Sequence, residues 1–219
     1  FQVPFIVNEN TLIPRPETEY MITAVAEYTK ENLDSKNQKW ILLDIWTWCG
    51  VFWISVLLQN PDSYDQIYFS DLSTGALFVA QKNYENLIEK KYEHEFLQSD
   101  LVSFISDKIL DTSKPITLVA NLPYIPDETF DENSPDNVQK REPRMAFVWW
   151  DDGLDLYRKM FNQLFGFKSE WKIWSVMMFL EMMTRQVEIL QKEFGDKLDF
   201  NEVKTFHFNI RIVQASFNS

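Results

Sequence analysis

Four short apolar runs, each closing on a carboxylate or an amide, limit what this chain can become more than any other feature. Lys39 to Ile45 carries Asp44 near its end, Gln66 to Ser70 stops at Asp71, Glu95 to Gln98 leads to Asp100, and Ile116 to Ala120 leads to Asn121. Near-continuous apolar runs of this length are the pattern of strands buried on both faces, as in a parallel sheet. Helical periodicity fills the intervals. Tyr20, Met21, Ala24, Val25 and Tyr28 share one face of a helix from Glu17 to near Asn32. Val51 to Leu58 reads as a second helix, and Ser73 caps a third that runs to about Tyr92. Strands alternating with helices predict a three-layer αβα sandwich. In such sheets ligands gather beyond the carboxyl ends of the strands, where the polar residues fall.

The remainder of the chain extends the pattern. Asp152 to Phe165 and Thr184 to Phe194 are expected as helices around a fifth strand, Ile173 to Glu181. Phe200 to Lys204 and Ile210 to Phe217 are expected to close the mostly parallel sheet with an antiparallel β-hairpin. Ahead of the first helix, residues 1 to 13 alternate apolar and polar around Asn8 and Asn10. That predicts a small N-terminal β-hairpin, so residues 1–15 are expected as hairpin and linker before one domain over 16–219. The stretch from Ile125 to Trp150 is long, polar and proline-bearing, as segments that fold over a substrate are.

Composition removes several function classes. A formal charge of −12 and a pI near 4.6 oppose a broad grip on nucleic acid and favour a protein or small-molecule substrate. The lone Cys49 cannot form an internal disulfide, and His94 and His207 do not make a Cys/His metal cluster. No metal is expected, and a reducing, cytoplasmic setting fits. No run approaches a membrane span, and the Phe1 start reads as that of a fragment whose N-terminus is missing. A monomer is expected.

The tetrapeptide Asn121-Leu122-Pro123-Tyr124 carries the most specific chemistry. Asn offers an acceptor and a donor, Pro stiffens the turn, and Tyr adds a flat face, a set suited to a planar NH2 group. Taken alone, such residues are about as often a simple strand-closing turn. Asp71 stands where a ribose diol is held in dinucleotide-type sites, and Asp100 beside Leu101 could line a base pocket. A single Asp after a strand is more often a helix cap.

Several separated motifs, in order, resemble the release-factor glutamine N5-methyltransferase family of PrmC/HemK type. They are Leu12-Ile13-Pro14-Arg15-Pro16-Glu17-Thr18-Glu19, Leu43-Asp44-Ile45 with its following loop, Asn121-Leu122-Pro123-Tyr124, and Arg141-Glu142-Pro143-Arg144-Met145-Ala146 through Asp152-Gly153-Leu154-Asp155-Leu156-Tyr157. The resemblance implies a class I, Rossmann-like methyltransferase fold, S-adenosylmethionine (SAM) as cofactor, and methylation of the glutamine in the Gly-Gly-Gln loop of class I peptide release factors. It also implies an N-terminal helical domain ahead of this sequence. It places Trp46, Thr47, Trp48, Cys49 and Gly50 at the methionine end of the cofactor, Asp71 at its ribose, Asp100 and Leu101 at its adenine, and Asn121 between cofactor and substrate. Asn121, Leu122, Pro123 and Tyr124 would hold the substrate glutamine, with Asn121, Pro123 and Tyr124 as the catalytic set.

The chain departs from that pattern in two ways. The family has Pro where Leu122 stands, and Asn-Leu-Pro-Tyr is similar to the motif of ribosomal-RNA adenine dimethyltransferases, which keeps an N6-adenine methyltransferase on RNA or DNA as the rival enzyme. Trp46 and Trp48 occupy family-glycine positions, as Trp149, Trp150 and Trp171 do elsewhere, and Trp53 replaces a small residue. Glycine is correspondingly scarce: 5 in 219 residues against about fifteen at ordinary usage, with 8 tryptophans beside them. Literal tryptophans would make the chain a SAM-dead binding module. Glycines written as tryptophan from UGA codons would leave it an enzyme.

Overall fold

The computed structural model describes residues 3–32, 38–109, 114–126, 130, 142–148, 152–171, 175–203 and 210–218. Seven strands form one sheet: β1 (Trp40–Ile45), β2 (Tyr64–Asp71), β3 (Glu93–Gln98), β4 (Ile116–Ala120), β5 (Val176–Met183), β6 (Leu198–Val203) and β7 (Ile210–Phe217). Their spatial order is β3-β2-β1-β4-β5-β7-β6. The first five run parallel, and β7 lies antiparallel between β5 and β6. This is the class I methyltransferase fold of Rossmann type expected for the chain. Strand order reverses between β1 and β4, so the crevice for a ligand opens beyond their carboxyl ends.

The strand pleat divides the core. Ile41, Leu43 and Ile45 of β1 join one apolar cluster while Trp40 and Leu42 join the other. Helices α1 (Pro16–Asn32), α2 (Val51–Gln59) and α3 (Thr74–Leu87) cover the second face through Met21, Trp53 and Tyr84. The first face is covered by α4 (Ile105–Lys108), α5 (Asp155–Trp171) and α6 (Thr184–Phe194), through Ile105, Phe161 and Leu190. Each fully buried side chain of this size stabilises by about 1.5–3 kcal/mol, which makes the middle of the sheet a rigid platform for the turns at its edge.

Several elements differ from expectation, among them α5, which begins at Asp155 and runs to Trp171 where Asp152 to Phe165 is expected. Residues 3–15 contain no strand, so the N-terminal hairpin is corrected to a turn in which Thr11 N donates to Asn8 O at 3.1 Å. The segment's backbone pairs instead with a side chain: Ile6 N donates to Asn83 Oδ1 at 2.8 Å and Asn83 Nδ2 donates back to Ile6 O at 2.9 Å. An amide side chain presents the same donor and acceptor pair as a strand edge. The third helix stops at Leu87, where Ile88 turns extended and its N–H caps Tyr84 O.

Candidate functional site

Two turns meet at the switch point. The turn after β1 spans 46–50, and its backbone is tied at each step. Trp46 N and Thr47 N both donate to Ser70 O, at 2.8 and 3.0 Å, and Gly50 N donates to Thr47 O at 2.8 Å. Trp48 N donates to Asp71 Oδ2 at 3.1 Å, and Cys49 O accepts from Asn83 Nδ2 at 2.9 Å. Thr47 Oγ1 donates to Asp44 Oδ2, which helps a carboxyl whose pKa burial holds well above the usual range. The expected loop residues 46–50 thus lie together. Both indoles turn inward among Leu43, Ile45 and Leu101, leaving Trp46 2% and Trp48 3% exposed.

Asp71 is buried at the end of β2, and its oxygens accept from Trp48 N and from Ser73 N at 2.8 Å. Burial pushes its pKa up to about 6 against those hydrogen bonds. Asp100 is half-exposed, with its carboxylate ion-paired to Lys159. Leu101 beside it is buried with φ 56°, its carbonyl accepting from Ser70 Oγ at 3.0 Å. The Cys49 thiol is buried and pushed up to about 12 by desolvation, so it is a packed neutral group rather than a nucleophile.

The turn after β4 is different in kind. Asn121, Leu122 and Pro123 are buried and Tyr124 half-buried, and the turn borders a cavity of about 240 Å³ whose lining includes Arg15, Glu17, Asn121, Tyr124, Phe147 and Glu181. Glu181, in β5, was not singled out in the sequence, yet it anchors this cavity. It is 3% exposed, its Oε1 accepts from the Tyr124 hydroxyl at 2.9 Å, and its Oε2 has no hydrogen-bond partner among the described residues. Burial pushes its pKa up to about 7, opposed by the Tyr124 hydroxyl, with the smaller influences of Glu17 and the Asn121 amide following. The Glu181 carbonyl accepts from Tyr157 Oη at 2.5 Å. An isolated Glu within an apolar run carries no local signal of this role.

The motifs quoted from sequence converge on the same turn. Arg15 Nη2 reaches the buried Glu142 Oε1 at 2.7 Å while Ile13 N donates to Glu142 Oε2 at 2.9 Å, so the two proline-arginine motifs lock together. Gln186, at the start of α6, donates through Nε2 to both Tyr124 O and Asp152 O, each at 2.8 Å. Gly153 adopts φ 73°, and a Cβ there would land on the Tyr124 carbonyl, so only glycine lets the Asp152-Gly153 turn support the tetrapeptide this closely. Arg141, Trp149, Trp150 and the side chain of Trp171 lie outside the described residues, as does most of the 125–150 segment.

No protein-family model matches the chain. It is 35% identical over 161 residues to the release factor glutamine methyltransferase of Bacillus anthracis, an alignment covering 73% of this chain and 53% of that protein. It is 34% identical over 198 residues to the release factor glutamine methyltransferase of Lactococcus lactis subsp. lactis, covering 88% and 64%. The chain thus spans about half to two thirds of the length of these curated relatives. Among solved structures it is similar in fold to the hMettl16 catalytic domain in complex with the MAT2A 3′UTR hairpin 1, with TM-score 0.70, 13% identity, and 98% of this chain and 74% of that one covered.

Proposed function

Since this chain belongs by sequence to the release factor glutamine methyltransferases, we propose that it methylates the side-chain amide nitrogen of the glutamine in the Gly-Gly-Gln loop of a class I peptide release factor. SAM is the proposed methyl donor and the cytoplasm the proposed setting. The observation that carries the reading is the cavity beside Asn121 and Tyr124: polar groups suited to one planar amide, at the strand-order switch of a methyltransferase fold. Its charged lining among the described residues is Arg15, Glu17 and Glu181, with Arg15 held by Glu142, a set that offers little to the phosphates of RNA or DNA.

An amide nitrogen shares its lone pair with its carbonyl and is a poor nucleophile, so the chain's contribution is placement. In this reading the Asn121 side-chain oxygen accepts one N–H of the substrate amide and a backbone carbonyl of Leu122 or Pro123 accepts the other. Pro123 keeps the turn stiff and the Tyr124 ring packs on the amide plane. Glu181 is a positioning residue. It fixes the Tyr124 ring through the hydroxyl, and the neighbouring Asn121 amide favours its ionised form.

With the side chains present, the 46–50 turn does not fit the donor. Two buried indoles pack into the apolar cluster beside the turn, and both Asp71 oxygens already accept from backbone N–H groups. The test is methyl transfer to a purified class I release factor by the chain and by its W46G/W48G variant, with the Gly-Gly-Gln peptide read by mass spectrometry. Methylglutamine supports the reading. Methylated adenine in added RNA, with unmodified glutamine, refutes it in favour of the nucleic-acid rival.

A further inference from the structure

Backbone and residue disagree at two places in the turn after β1. Residues 46, 48 and 50 take φ values of 67°, 53° and 77°, and only the last is glycine. In this left-handed region a Cβ crowds the following carbonyl; Asn and Asp are the usual exceptions, and a bulky aromatic is an outlier. Leu101 is the other non-glycine residue there among the described residues, but it stands singly. Two tryptophans within three residues of one turn is a different matter.

The turn has no slack with which to relieve them. Residues 46, 47, 48 and 50 donate backbone N–H bonds, and Cys49 O is held by Asn83, so rotating either tryptophan to negative φ breaks ties to β2 or α3. Nor do the side chains fit well. The Trp48 Nε1 is buried without a hydrogen-bond partner among the described residues, the arrangement that polar groups in native interiors avoid. Trp40, one strand length earlier, shows the ordinary case: it lies in β1 outside the positive-φ set and packs edge-on against Tyr28 at 5.8 Å. The scarcity of glycine points the same way, since 5 glycines and 8 tryptophans together come close to the glycine content of about 7% expected.

We infer that residues 46 and 48 of the working protein are glycines, encoded by UGA codons that the source reads as glycine, and that the volume of the two indoles is the donor's site. The residue identities rest on the turn alone. The identity of the ligand rests on the proposed function.

The experiment has two independent readouts. The first is the codon at each position together with the mass of the peptide spanning residues 40–59 from the protein made in its own cells. UGA codons and glycine masses at 46 and 48 are expected, whereas UGG codons or tryptophan masses overturn the inference. The second is calorimetric titration of S-adenosylhomocysteine into the chain as written and into W46G/W48G, with circular dichroism confirming that both fold. Binding at least tenfold tighter to the variant is expected, and equal binding to both overturns the claim that the indoles fill the site. Glycine masses combined with no binding by the folded variant would leave the residue assignment standing and overturn the methyltransferase reading.

Discussion

The turns after β1 and β4 close neighbouring strands of one sheet, yet their residues stand in opposite relation to their backbones. At 121–124 the side chains suit the conformation: Pro stiffens, Tyr is pinned by Glu181, and a cavity remains open beside Asn121. At 46–50 the backbone is equally well tied but two of its residues oppose it, at about 1–3 kcal/mol each for a side chain held in the left-handed region. A hydrogen-bonded turn can therefore preserve the shape of a site whose side chains no longer match it. Shape and occupancy are separable, and here they have separated at one turn only.

The comparison breaks most visibly at Asn121. In the W46G/W48G background, Asn121→Ala is expected to lower kcat for release-factor methylation by about 10²-fold, the scale of losing one group that orients a reacting atom, with the thermal midpoint little changed. Unchanged turnover would remove the β4 turn from the chemistry.

Next is Gly153→Ala, whose Cβ would meet the Tyr124 carbonyl at φ 73°. A loss of about 3 kcal/mol in urea unfolding is expected, and an unchanged midpoint would show that the support beneath Tyr124 is slack. Arg15→Met leaves the buried Glu142 carboxylate with Ile13 N as its remaining donor here, and is expected to cost about 2 kcal/mol by the same measurement, discounted because Arg15 itself is one-third exposed.

The last effect is a slope, spread over pH and not a single shift of midpoint. Glu181 has a pKa raised from 4.5 to about 7, so the folded state binds its proton more tightly than the unfolded chain. Its stabilising contribution is complete below about pH 4.5 and is lost as pH rises toward 7. Glu181→Gln is expected to flatten the fall of stability across that window, measured by urea unfolding at several pH values. An identical slope in the variant would mean that Glu181 does not titrate there, and the turn after β4 would then hold Tyr124 by a permanently charged anchor.

Much of the framework was legible because its determinants are local. Ile116–Ala120 and Thr184–Phe194 have the bounds that apolar continuity and helical period indicate, and the terminal hairpin pairs as expected. The misses are non-local. Asn8 and Asn10 correctly marked a turn, but the partner of Ile6 is the side chain of Asn83 on α3, which no alternation near the N-terminus can reveal. Glu181 and Gln186 reach Tyr124 across about sixty residues, and each looks alone like a polar residue at the end of an element. Trp48 carried a signal in the sequence, a family-glycine position in a chain with many tryptophans and few glycines, and its φ of 53° adds the backbone conformation that glycine favours.

Asn83 has one more consequence. Its amide grips Ile6 on both sides and Cys49 on one, so a single side chain joins the segment ahead of α1 to the turn after β1. That makes it a mechanical latch. A pull that lifts residues 3–7 from α3 strips Asn83 of two of its three bonds and leaves Cys49 O as its remaining partner, while the ties of the turn to Ser70 and Asp71 stay in place.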